Sequence, residues 1–72
     1  MSYELTKEEK TTLINQHLKN LEYSAYNLEL SILEENALAT PNATTVASLN
    51  AQVAEINAKR TALQGELDEL TA

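Results

Sequence analysis

Two rows of apolar residues, each spaced alternately by three and four positions, lie on either side of the chain's single proline and leave little choice of fold. After Pro41, the residues Val46, Leu49, Val53, Ile56, Arg60, Leu63, Leu67 and Leu70 follow the a/d positions of a heptad, with one polar intruder. Before it, Ile14, Leu18, Leu21, Ala25, Leu28 and Ile32 do the same, and the spacing runs on into Glu35 and Ala39. Each row makes one narrow stripe along a helix, and such a stripe leaves water only by packing against another.

An antiparallel pair joined near Pro41 must place residues whose numbers have a constant sum in one layer. A sum of 81 pairs Ile14 with Leu67, Leu18 with Leu63, Leu21 with Arg60, Ala25 with Ile56, Leu28 with Val53 and Ile32 with Leu49. Every layer couples an a position to a d position, as antiparallel helices require. Arg60 enters the seam opposite Leu21. Its stem can cover apolar surface while the guanidinium reaches out toward Glu22, so Arg60 reads as a register pin, a polar seam residue that specifies pairing at some cost in stability.

Local signals set the boundaries. Thr6 followed by Glu9 makes a capping box, which starts helix 1 at Lys7. From there no glycine or proline intervenes until the segment Ala39–Thr44, so helix 1 is expected over about 7–39, the hinge at 40–42 and helix 2 over about 43–70. Either Thr40 caps helix 2 with Pro41 at its first position, or Asn42 caps it one step later. The helices would be roughly 50 and 43 Å long, well beyond the globular average. The expected fold is all-α: residues 1–72 form a single domain, an antiparallel two-helix coiled-coil hairpin that completes a four-helix bundle by dimerisation. Completion matters because a chain of 72 residues without cysteine has only its core, and at that size one core rarely supplies more than about 3 to 5 kcal/mol.

A second stripe shows how completion could occur. Tyr23, Tyr26, Leu30, Leu33 and Ala37 recur at the same spacings on helix 1, roughly 150° round from the seam at 100° per residue. A lone hairpin would leave this face in water, and a patch of that kind usually marks an interaction surface. Helix 2 carries an outer stripe of small residues, Ala47, Ala51, Ala54, Ala58, Thr61 and Gly65, which would admit a close neighbour or simply raise helix propensity. Helix 1 meeting helix 1 of a second copy gives a symmetric dimer, the favoured assembly. The large stripe docking on the small one gives rings or filaments, and a different protein could take either place.

No grouping in the chain specifies a chemistry. The Glu-x-x-His pairs that build di-iron sites in bundles do not occur, and His17, flanking the seam near Glu66, is expected in a surface pair. The carboxylate pairs Glu8-Glu9, Glu34-Glu35 and Asp68-Glu69 point about 100° apart within each pair and lie near helix ends, where they read as solvated. Folding would bring the last of them beside Lys7 and Lys10. Two slender helices enclose no pocket that could perturb a catalytic pKa. The expectation is therefore no enzyme, no catalytic, metal or cofactor-binding residue, no cofactor and no small-molecule substrate. A net charge of −6 disfavours nucleic acid, and the longest apolar runs, such as Leu13-Ile14, are far too short to span a membrane. Asn42-Ala43-Thr44 matches a glycosylation sequon, but a turn and cap explain it equally well.

The opening Met1–Glu9 has acids and no apolar block, so neither a signal nor a transit peptide is expected and a cytoplasmic location is. The stretch Ile14–Glu22, Tyr26-Asn27-Leu28-Glu29 and the Ala-rich second helix resemble short uncharacterised helical-hairpin proteins of tailed phages of marine bacteria, especially cyanobacteria. That resemblance carries no activity and no site residues. It implies a phage product, such as a small virion part, an assembly factor or a modulator of a host protein, and so a location in host cytoplasm or virion.

Overall fold

A computed structural model describes residues 4–72; the reading of the opening residues as carrying no leader falls partly on Met1–Tyr3, outside the described residues. Two helices, α1 (Lys7–Asn36) and α2 (Ala43–Thr71), pack against each other as a hairpin about 60 Å long, and there is no strand among the described residues.

Each helix starts on a cap that its sequence encodes. At α1 the Glu9 N–H donates to the Thr6 hydroxyl (3.1 Å) and the Thr6 N–H donates to the Glu9 carboxylate (2.9 Å). Two of the donors that a helix leaves unpaired at its start are thereby satisfied. At α2, Asn42 is the cap: its side-chain oxygen accepts the Thr45 N–H at 3.0 Å. The asparagine of the sequon is thus committed to helix initiation. Threonine is a weak helix former, and inside the helices Thr11, Thr12, Thr61 and Thr71 each satisfy the hydroxyl by donating to the carbonyl four residues back.

The end of α1 corrects the expected boundary. The helix stops at Asn36, three residues before the expected 39, and the connection spans 37–42. Ala37 N–H still donates to Leu33 O (3.0 Å), but Leu38 N–H turns in to Glu35 O (3.2 Å), tightening the last turn before the chain leaves. Pro41 disfavours helical backbone at Thr40, and the chain needs extended residues to cross to α2. Ala39 consequently lies exposed in the connection and takes no part in the seam. Glu35 holds the hinge: its carboxylate accepts the Asn42 N–H at 2.9 Å, linking the last turn of α1 to the cap of α2. The turn needs no left-handed residue, and none with positive φ occurs among the described residues.

Between the helices, the seam follows the heptad. Ile14, Leu18, Leu21, Leu28, Ile32 and Glu35 on α1 are half-buried, as are Val46, Leu49, Val53, Arg60, Leu63, Leu67 and Leu70 on α2. The buried residues among those described, Ala25 (7% exposed) and Ile56 (8%), are the two that a sum of 81 places in one layer. The small Ala25 lets the helices approach there, and Ile56 fills the space. Among the described residues no large side chain is completely buried, so this is a thin core whose outer faces stay wet.

Candidate interaction surface

Residues with an apolar side chain that the seam does not use are concentrated on the outer face of α1. Tyr23 and Tyr26 are 63% and 62% exposed, Leu30 37% and Leu33 65%, and Ala37 continues the row in the connection. Because α1 runs unbroken through Asn36, the row up to Leu33 lies on one continuous helix. Taking about 150 to 250 Å² for a buried aromatic residue, the four large side chains leave roughly 450 Å² of mainly apolar surface in water, the size of patch that commonly marks a contact.

The charge around this stripe is one-sided. All five basic residues, Lys7, Lys10, Lys19, Lys59 and Arg60, lie in the half of the hairpin away from the hinge. Between Asn20 and Ala58 there are five acids, Glu22, Glu29, Glu34, Glu35 and Glu55, and no base. Glu22, Glu29 and Glu34 flank the stripe and are exposed.

Arg60 lies where the register placed it. Its guanidinium donates to the Glu22 carboxylate across the hairpin and makes a long contact with Asn57 Oδ1 (3.5 Å). Both partners are partly in water, and exposed pairs of this kind contribute about 0 to 1 kcal/mol. The pair joins a seam position of α2 to one residue of α1.

The remaining charged groups are plainer. The surface pair expected between His17 and Glu66 does not form; both are exposed, and Arg60–Glu22 is the one ion pair among the described residues. Nor do Asp68 and Glu69 pair with Lys7 or Lys10; instead Asp68 accepts from Gln64 Nε2 at 3.0 Å, within its own helix. Long flexible side chains at a wet helix end gain too little from pairing to be held in one geometry. At Glu9, hydrogen bonds from the Thr6 backbone and hydroxyl hold the carboxyl below its ordinary pKa. Among the described residues no group of three or more His, Asp or Glu side chains is placed to hold a metal ion. An open groove runs along the helix boundary, lined by Leu18, Glu22, Arg60 and Gln64 among others.

Sequence reading missed two features. One is the contact of the Glu35 carboxylate at the hinge, whose signal was an acid at a seam position six residues before the proline. The other is a smaller apolar spot at the start of α1, where Leu5 and Leu13, eight residues apart, remain 48% and 44% exposed. No protein-family model, curated protein or solved structure matches the chain. No helix of the described residues is long and apolar enough to cross a membrane.

Proposed function

We propose that this protein is a non-catalytic structural or assembly element, a self-associating helical hairpin whose working surface is the row Tyr23, Tyr26, Leu30, Leu33 and Ala37. One observation carries the reading: four large side chains stand in line on one helix, outside a hairpin whose core has no fully buried large residue among those described. Packing a second helix over that row removes the patch from water and gives α1 a second packed face, opposite the seam. A symmetric homodimer, forming a four-helix bundle, is the simplest closed assembly that does so. The resemblance to phage hairpin proteins supports a role in a virion or its assembly.

Light scattering on a size-exclusion column across a dilution series tests the proposal, with helicity followed by circular dichroism. A dimer, or a higher closed oligomer, that Tyr26→Glu with Leu30→Glu dissociates is the expected result; a helical monomer at every concentration sinks it. The exposed acids that flank the stripe, Glu22, Glu29 and Glu34, favour a second reading, a small regulatory binder that docks on another protein. In that case the monomer persists and both tyrosines stay exposed until the partner is present.

A further inference from the structure

Resting on self-association through the α1 stripe, we infer that two copies pair α1 against α1 antiparallel, about a two-fold axis level with Leu28, with Lys19 of each copy facing Glu34 of the other. The stripe itself sets this register. In an antiparallel pair an a position shares a layer with a d position. Tyr23 and Leu30 occupy one class of position and Tyr26 and Leu33 the other. Only residue numbers adding to 56 bring all four large side chains of both copies into layers with one another: Tyr23 then meets Leu33, and Tyr26 meets Leu30. One heptad step in either direction leaves a tyrosine or a leucine without an apolar partner.

The charges agree with that register at its ends. Lys19 lies four residues before Tyr23 and continues the line of the stripe, exposed on α1. In this pairing it falls over Ala37 of the second copy, one turn from Glu34, so two symmetric Lys19–Glu34 pairs close the interface. Lys19 and Lys59 border the acid-only stretch, and of the bases on α1 only Lys19 continues the line of the stripe. At the axis the arrangement is less favourable. Glu29 meets its own copy there, with Glu22 beside it partly neutralised by Arg60. With flanking chains included, the two copies would bury about 1,000 Å² or a little more, at the lower end of stable interfaces. An association sensitive to single charges follows.

The experiment is a charge exchange read by sedimentation equilibrium on the full chain. Lys19→Glu and Glu34→Lys should each weaken dimerisation by about 3- to 10-fold, the range for a symmetric pair of rim contacts, and the double variant should restore it. Glu29→Gln should tighten it. Since the chain has no cysteine, Asn27→Cys next to the axis gives an independent reading: mild oxidation should link it to its own copy, whereas Ala58→Cys on the outer face of α2 should stay unlinked. A dimer in which the double variant is no better than the single ones, or in which Ala58→Cys links and Asn27→Cys does not, overturns the register while leaving self-association standing. A chain that is monomeric throughout overturns both.

Discussion

Single residues decide where this chain changes direction. Thr40 and Asn42 were equal candidates to start the second helix, and the asparagine took the role because its side chain reaches the Thr45 N–H. Asn42→Ala should therefore cost about 1 kcal/mol in a urea titration, with Thr40→Ala close to neutral. Glu9 couples the first cap to pH. Its folded pKa is depressed, so its stabilising contribution is present above the unfolded value and fades as pH falls through the folded one. Relative to Glu9→Gln, the wild type should lose ground progressively as pH is lowered below about 4.5, read as a narrowing gap between their urea midpoints. Gly65 is the opposite case, a residue with no local duty. Nothing lies within 4 Å of where its Cβ would be, and it sits in the body of α2. Gly65→Ala should stabilise the protein by about 1 kcal/mol without touching the stripe.

At the scale of the elements, the seam was legible because heptad spacing is a property of the chain before it folds. Burial agrees with the register there: Ala25 and Ile56, placed in one layer by arithmetic, are the buried residues among those described. Ile56→Ala should remove much of the stability of the hairpin, by about 2 to 4 kcal/mol in thermal or chemical unfolding. The length of α1 was not legible. Helix spacing continues through Ala37 and Ala39, and nothing local stops it at Asn36. What ends it is the need to reach Asn42, with Glu35 turning its carboxylate from the seam to the Asn42 N–H. Surface ion pairing was equally hard to read. His17 with Glu66 and the acidic end with Lys7 and Lys10 were sensible by proximity, yet Arg60–Glu22 alone formed, between a stiff seam position and the residue beside its opposing layer.

For the whole molecule, the governing fact is an imbalance between a thin inner seam and a substantial outer stripe. If the stripe closes on a second copy, stability depends on protein concentration, since association favours only the folded state. The thermal midpoint should rise measurably from micromolar to hundreds of micromolar chain, and Tyr26→Glu with Leu30→Glu should abolish that rise while leaving the hairpin helical.

Helical content, the position of the break, the seam and its pairing, and the existence of a second apolar face all follow from the order of residues, because period and capping act over a few positions. Tertiary structure decided the true end of α1, the choice of Asn42 as cap, the hinge contact of Glu35 and which charges meet. Those outcomes depend on the distance between two packed helices and on competition for the same backbone N–H groups, and no stretch of chain carries that information until both helices are in place.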